Sequence, residues 1–287
     1  MSTYGTLLKD AEQQLSELEY SDAALEAREL LGKALDKDCR SAEFELLLRE
    51  EADGAVSREL FDLCSKRIKG EPLQYIIGEW DFYGLRFKLG EGVLIPRQDT
   101  EMIIETAVKL YKNSEGIEIA DLCAGTGCIG ITLEKQLNNA RLTLVEKYDS
   151  AFGYLSENAE LHGSRAKLVK GDVEDEALIS SMQEFDMIVS NPPYLTGQDM
   201  DALQKEVRAE PREALYGGGD GLDYYRSITR LWKHKLKEGG ALMFEIGAAQ
   251  AKDVMELMIQ HGFRDVRVKR DLAGNDRVVV GFKRAPA

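Results

Sequence analysis

The stretch Ile117-Glu118-Ile119-Ala120-Asp121-Leu122-Cys123-Ala124-Gly125-Thr126-Gly127-Cys128-Ile129-Gly130 decides the fold. It opens as a short apolar strand. Residues 125–130 then fit G-x-G-x-x-G, directly before a helical pattern that runs from Cys128 to about Gln136. Strand, glycine loop and helix in that order make a nucleotide-binding loop, because the glycines let the backbone approach a ligand at the helix N-terminus. Downstream the alternation persists. Residues 141–146 read as a second strand, followed by a helix through Tyr154 and Leu161, and residues 166–170 read as a third strand. A fourth strand covers 185–189, a helix 224–236, a fifth strand 241–246 and a further helix 249–261, with strand candidates near 266–268 and 278–280. This order predicts an α/β fold whose mostly parallel sheet is covered by helices and takes ligands at its strand carboxyl ends. No helix separates the last two strands, so an antiparallel hairpin at one edge is the simplest reading.

The glycine loop alone suits a dinucleotide dehydrogenase equally well. Acidic residues at three successive strand ends tilt the choice. Glu146 ends the second strand, where a carboxylate can hold a ribose diol. Asp121 sits at the mouth of the loop, where it would repel a pyrophosphate but attract the ammonium group of S-adenosylmethionine. Asp172, within Gly171-Asp172-Val173, is placed to accept from the exocyclic amine of an adenine, with Val173 packing on the ring.

The fourth strand stops at Ile188-Val189-Ser190-Asn191-Pro192-Pro193-Tyr194. Each proline fixes its own φ, lacks an N–H and restricts the residue before it, so the turn is stiff and rich in acceptors. The Asn191 side-chain carbonyl and the Pro192 carbonyl match the two N–H bonds of a planar amino group. Tyr194 adds an aromatic face. Such a site suits methylation of a nitrogen whose lone pair is conjugated, because both hydrogen bonds strengthen as that nitrogen becomes positive. By themselves the four residues serve equally as a strand-ending turn.

At 287 residues the chain has room for one large domain and a small one. No apolar run reaches the length of a membrane span, and Met1-Ser2-Thr3-Tyr4-Gly5 lacks the basic-then-apolar layout of a signal peptide, so a cytoplasmic protein is expected. A formal charge of −14 argues against wholesale wrapping of nucleic acid, which depends on phosphate neutralisation, though it leaves room for a small basic patch; direct nucleic-acid binding is not expected. Cys39, Cys64, Cys123 and Cys128 show no metal-binding spacing, and His162, His234 and His261 have no ligand partners at useful spacing, so no metal is expected.

Residues 1–72 repeat apolar positions at helix spacing in four segments, the second after Ser21-Asp22, the third led by Ser41 and the fourth by Ser57. A small helical bundle follows from this pattern, with 10 Lys/Arg against 17 Asp/Glu. Residues 73–95 change period and read as an aromatic-rich β-hairpin connector, which leaves 96–287 as the larger domain. Asp99 or Thr100 is expected to cap the helix that carries Ile103, Ile104, Ala107 and Leu110.

With those residues in hand, the chain resembles the bacterial peptide-chain release factor glutamine methyltransferases (PrmC/HemK family). The resemblance runs through Pro72-Leu73-Gln74-Tyr75-Ile76, Gly78-Glu79-Trp80, Leu94-Ile95-Pro96-Arg97, Asp99-Thr100-Glu101, Asp121 to Gly127 and Asn191 to Tyr194. It continues in Glu210-Pro211-Arg212-Glu213-Ala214-Leu215, Gly217-Gly218-Gly219-Asp220-Gly221-Leu222-Asp223 and Asp271-Leu272-Ala273-Gly274-Asn275-Asp276-Arg277. It implies a Rossmann-like class I S-adenosylmethionine-dependent methyltransferase domain with a small N-terminal helical domain that helps hold the substrate. The implied reaction moves a methyl group from S-adenosyl-L-methionine to the amide nitrogen of the glutamine in the Gly-Gly-Gln motif of class I release factors, leaving S-adenosyl-L-homocysteine. Carried over, Cys123, Ala124, Gly125, Thr126 and Gly127 surround the methionine part of the cofactor, Glu146 holds the ribose, and Asp172 and Val173 flank the adenine. Asn191, Pro192, Pro193 and Tyr194 hold the glutamine amide, with Asn191 also counted among the cofactor contacts.

Gln98 stands where the family usually has proline, Ala124 where a hydroxyl residue is common, and Glu146 replaces a frequent aspartate. Glycines 217–219 and 221 suggest a mobile loop that closes over the bound peptide. The alternatives are a ribosomal-protein glutamine as substrate, a DNA adenine amino group, a non-catalytic module that keeps the cofactor fold, and a dehydrogenase.

Overall fold

Five helices open the chain in the computed structural model, which describes residues 2–19, 21–271 and 273–284; Met1 and Leu272, both named above, lie outside the described residues. They are α1 (Tyr4–Leu15), α2 (Ala23–Leu35), α3 (Ala42–Leu47), α4 (Gly54–Ile68) and α5 (Leu73–Ile77). Polar residues start the first four: Thr3 with Thr6 in a capping box, Asp22 on the Leu25 N–H, Ser41 on Phe44 and Asp53 on Ala55. The fourth helix therefore begins earlier than Ser57, whose hydroxyl donates to the Asp53 carbonyl instead. Residues 75–77, read as extended from their aromatic and β-branched side chains, form α5 between Pro72 and Gly78, which closes the helix at φ +84. Leu15, Ala27, Leu30, Leu31 and Phe44 fill the interior. Arg67 is buried among them, held by Glu26 through two bonds of 2.7 and 2.9 Å and paired with Glu206 at 2.8 Å. Losing both glutamates would strand a buried cation, which is far costlier than losing an exposed pair.

The chain divides into two compact units, Met1–Glu79 with Lys205–Ala209, and Trp80–Gln204 with Glu210–Ala287. The second begins with the hairpin β1 (Glu79–Phe82) and β2 (Leu85–Lys88), joined at Tyr83 and Gly84, both at positive φ, as a two-residue primed turn needs. A single 3-10 turn at Gln98–Thr100 leads into α6 (Glu101–Tyr111). The alternating region follows: β3 (Glu118–Leu122), α7 (Cys128–Gln136), β4 (Arg141–Glu146), α8 (Asp149–Leu161), β5 (Lys167–Lys170), α9 (Glu176–Ser181) and β6 (Phe185–Ser190). The short helices α10 (Gly197–Asp201) and α11 (Arg212–Leu215) come next, then α12 (Asp223–Trp232), β7 (Leu236–Glu245), α13 (Ala251–Gln260), β8 (Phe263–Arg270) and β9 (Asp276–Lys283).

These strands form one sheet in the order β5-β4-β3-β6-β7-β9-β8. β5, β4, β3, β6 and β7 run parallel, while β9 is antiparallel to both β7 and β8. The terminal pair forms the antiparallel hairpin expected at one edge, with β9 beside β7 and β8 outermost. Arg264, Arg267, Lys269 and Arg270 load that edge with charge, which discourages strand addition. Period-two alternation gives each face its own core. Ile119, Leu144, Val189 and Met243 meet the helices on one side, and Leu122, Val145, Ile188 and Phe244 meet Tyr225, Trp232 and Val254 on the other. Chain direction across the sheet reverses between β3 and β6, so their carboxyl ends flank a topological switch point.

Candidate cofactor and substrate site

Four strand ends converge at that switch. Beyond β3 the loop turns at Cys123, Gly125 and Gly127, with φ of +59, +56 and +80. At Gly127 a Cβ would sit 2.6 Å from Leu155 Cδ1, and at Gly130 one would sit 2.4 Å from Leu144 Cδ2. These glycines serve close packing of α7 and α8 on the sheet. Gly125 differs, since its Cβ would meet nothing nearer than Val93 at 3.9 Å. It leaves open space beside the main chain. Asn158 ties the loop to the hairpin by donating to the Thr126 and Lys88 carbonyls at 3.0 and 2.9 Å while accepting from Lys88 N–H at 2.7 Å.

Glu146 ends β4 with both oxygens engaged by backbone. Oε2 accepts from Gly125 N–H at 2.9 Å, and Oε1 accepts from Lys147 and Tyr148 N–H at 2.7 and 2.9 Å. A carboxylate offers about four acceptor positions, so Oε2 keeps capacity for a ribose hydroxyl. Glu146→Ala is expected to raise the cofactor dissociation constant at least about tenfold, because it removes a ligand acceptor and unpins Gly125 as well. Calorimetric titration with S-adenosylhomocysteine checks this.

Asp172 follows β5 and is less free than the sequence implied. Its Oδ2 pairs with Lys147 Nζ at 2.7 Å, and Oδ1 accepts from Glu174 N–H at 2.9 Å. Burial opposes its ionisation, but the Lys147 hydrogen bond and the Glu174 N–H outweigh that and hold the carboxyl below its ordinary value. Asp121 departs further from expectation. Its side chain is fully buried on the α7 side of β3, with Oδ2 accepting from Gly130 N–H at 2.9 Å and Oδ1 enclosed without a partner among the described residues. Burial pushes the acid up to about 7, with the Gly130 N–H pulling the other way. Asp121 supports the loop from beneath and does not line the cavity above it.

That cavity opens over the glycine loop and the ends of β4 and β5. Cys123, Ala124, Gly125, Thr126, Glu146, Asp172, Val173, Asn191 and Pro193 all line it, so the acidic strand ends, the glycine loop and the proline turn open into one space. Lys147, Tyr148, Tyr224, Arg97 and Thr100 line it too, and the sequence singled out none of them as site residues. The donor set fits S-adenosylmethionine: an open glycine at one end, a diol acceptor in the middle and an apolar slot beside Val173.

At the proline turn, Asn191 Nδ2 donates to Thr100 Oγ1 at 3.4 Å. Among the described residues nothing donates to Asn191 Oδ1 or to the Pro192 carbonyl. Pro192 is buried, and Tyr194 backs the turn; burial pushes its hydroxyl up to about 12, and the nearby Glu245 charge adds to this. The glycine segment proves to be a brace. Tyr194 and Leu195 N–H both donate to the Leu215 carbonyl at 3.1 and 2.8 Å, and Gly217 N–H donates to Leu195 at 2.9 Å. A Cβ on Gly217 would fall 2.5 Å from the Pro193 oxygen, and one on Gly221 would fall 2.3 Å from the Tyr194 oxygen. These glycines allow the segment to touch the turn.

On the far wall Glu210 accepts from Ile95 N–H at 3.0 Å and pairs with Arg97, joining the segments before and after the turn. Among the described residues no cluster of His, Cys, Asp and Glu is placed to hold a metal, and no helix is long and apolar enough to cross a membrane.

Sheet order, glycine loop and strand-end acids define a Rossmann-like methyltransferase domain. The same fold occurs in the crystal structure of a methyltransferase from Pyrococcus furiosus, at TM-score 0.54 and 18% identity, over 77% of this chain and 98% of that one. The family described as Methyltransferase small domain matches residues 99–222, and the PrmC N-terminal domain matches residues 6–78. A release factor glutamine methyltransferase of Geobacter sulfurreducens is 41% identical over 93% of this chain and 92% of its own length. Another, from Clostridium botulinum, is 38% identical over 90% and 92%. The chain belongs to the release factor glutamine methyltransferase family.

Proposed function

We propose that this protein transfers a methyl group from S-adenosylmethionine to the side-chain amide nitrogen of the glutamine in the Gly-Gly-Gln segment of class I peptide-chain release factors. The observation that carries the reading is that Asn191 opens into the same cavity as the glycine loop, Glu146, Asp172 and Val173. Bound there, the cofactor supplies an electrophilic methyl group on a sulfonium. Asn191 Oδ1 and the Pro192 carbonyl accept the two N–H bonds of the glutamine amide and orient its nitrogen. Their pull grows as the nitrogen becomes positive, so they favour the transition state over the ground state. Pro192 and Pro193 keep the acceptors fixed, which spares reorganisation during the reaction. The methylated amide is acidic enough to lose its proton to water, so no general base is required. A substrate drawn from the translation machinery makes the cytoplasm the place of action.

The N-terminal helices are assigned to holding the release factor. Phe61 and Ile68, seven positions apart on one stripe of α4, are 63% and 42% exposed, and Leu25 and Leu46 are 45% and 64% exposed. Phe61→Ser is expected to raise KM for an intact release factor by roughly tenfold and to leave turnover of a short Gly-Gly-Gln peptide unchanged. Steady-state kinetics on the two substrates separate these effects.

The direct test offers a class I release factor, a ribosomal-protein mixture and duplex DNA with methyl-labelled cofactor, then locates the label by mass spectrometry. Label on the release factor glutamine is expected. Label confined to a ribosomal protein or to adenine overturns the assignment.

A further inference from the structure

Arg97 precedes the 3-10 turn at Gln98–Thr100, and its carbonyl accepts from Thr100 N–H at 3.1 Å. Its guanidinium donates through Nη2 to Glu210 Oε1. Glu210 is 5% exposed, and its other oxygen accepts from Ile95 N–H at 3.0 Å, so the carboxylate is held from two sides and steadies the arginine from behind. A guanidinium carries five N–H donors. Among the described residues the Arg97 side chain makes no hydrogen bond besides the one to Glu210, so most of its fork is unspent. The side chain stays 38% exposed and lines the cavity together with Asn191, Pro193, Pro211 and Ala214. Two tethers set it at the proline-turn end of that cavity. Thr100, one turn on, accepts from Asn191 Nδ2 at 3.4 Å, and the Leu215 carbonyl, a short way beyond Glu210, accepts from Tyr194 and Leu195 N–H.

We propose that Arg97 is a substrate-binding residue that grips the main-chain carbonyls of the two glycines preceding the target glutamine. The inference rests on the glutamine-methylation reading given above. Glycines offer no side chain, so a Gly-Gly pair is recognised only through its peptide N–H and carbonyl groups. Asn191 and Pro192 supply acceptors, which suit the N–H bonds of the glutamine amide. The Arg97 fork supplies the donors that peptide carbonyls need, in a planar array that spans neighbouring oxygens. Its charge is already offset by Glu210, and Glu213 lines the same cavity. A neutral carbonyl is therefore favoured at this wall over another carboxylate, such as that of the cofactor. A glycine segment also loses more backbone freedom on ordering than any other sequence. A two-pronged anchor offsets that loss and delivers the glutamine side chain to Asn191 in a fixed direction.

The test uses the full-length enzyme, an intact class I release factor and methyl-labelled cofactor. Arg97→Lys keeps a cation beside Glu210 but loses the fork. It is expected to raise KM for the release factor about tenfold while kcat changes by less than about threefold. Its dissociation constant for S-adenosylhomocysteine stays within about twofold of wild type. A short Gly-Gly-Gln peptide, assayed as an inhibitor, is the second probe. An ester in place of its Gly–Gln linkage weakens the preceding carbonyl as an acceptor. That change should raise the inhibition constant about fivefold on wild type and by less than about twofold on Arg97→Lys, because the lost bond is no longer there to weaken. Wild-type KM in Arg97→Lys, or the same ester penalty in both enzymes, overturns the proposal. So does a loss of S-adenosylhomocysteine affinity that matches the rise in KM, since Arg97 would then serve the cofactor. These outcomes refute the role of Arg97 alone, whereas a wild-type enzyme that labels no release factor refutes the functional reading with it.

Discussion

Replacing Asn191 by alanine is expected to lower kcat for glutamine methylation by ~10²–10³-fold while cofactor affinity changes by less than about threefold. The loss is large because an amide nitrogen is a poor nucleophile that must be held in line with the methyl group. Asn191 Oδ1 supplies one of two acceptors, and among the described residues no other side-chain carbonyl lines the cavity at the end of β6 to replace it. Affinity survives because the glycine loop, Glu146 and Val173 line other parts of the cavity. Pre-steady-state transfer combined with calorimetric binding separates the two quantities. A variant that turned over normally would show that the two-acceptor geometry plays no part in the reaction.

Gly221→Ala should be nearly as damaging, although residue 221 does not line the cavity. Its φ of +74 is disfavoured for alanine by ~1–2 kcal/mol. The new methyl would also lie 2.3 Å from the Tyr194 oxygen and 2.7 Å from Gln250 Nε2. Gln250 grips both the Tyr194 and Gly221 carbonyls, at 3.1 and 3.2 Å, so the substitution pushes on the proline turn itself. The expected result is at least a tenfold drop in kcat with a fall of several degrees in the unfolding midpoint, estimated from roughly 1–3 kcal/mol of strain and overlap. Gly219→Ala makes the contrast, since its Cβ would meet nothing within 4 Å and its φ is not positive. A flexible lid would respond alike to both changes. A brace responds only to the first.

The regular parts of this fold were legible because burial repeats with simple periods. Strand β3, its glycine loop and α7 follow directly from the apolar run and the spacing of Gly125, Gly127 and Gly130. Elsewhere local preference and tertiary setting disagree. Tyr75, Ile76 and Ile77 favour a strand by type, yet between Pro72 and a Gly78 that closes the helix at φ +84 the segment winds into α5, burying Leu73 and Ile76. Asp121 was placed at the loop mouth, although the two-residue period of β3 puts it on the same face as Ile119, beneath α7. Glu146 was recognised as a strand-end acid, but its three backbone N–H partners arise from a loop whose path no spacing rule specifies. Thr100, Lys147, Tyr148 and Tyr224 reach the cavity through long-range packing and carry no motif of their own.

The insertion of β9 beside β7 governs when the protein can become competent. Because β9 runs against β7, its first residues Asp276 and Arg277 arrive at the carboxyl end of the sheet, where Glu245 and Asp99 wait. A growing chain that has made everything through α13 therefore carries an apolar strand with one flank bare, the kind of flank that invites aggregation. Maturation is sealed late, by β9, and a nascent molecule stalled before it would present that flank to its neighbours.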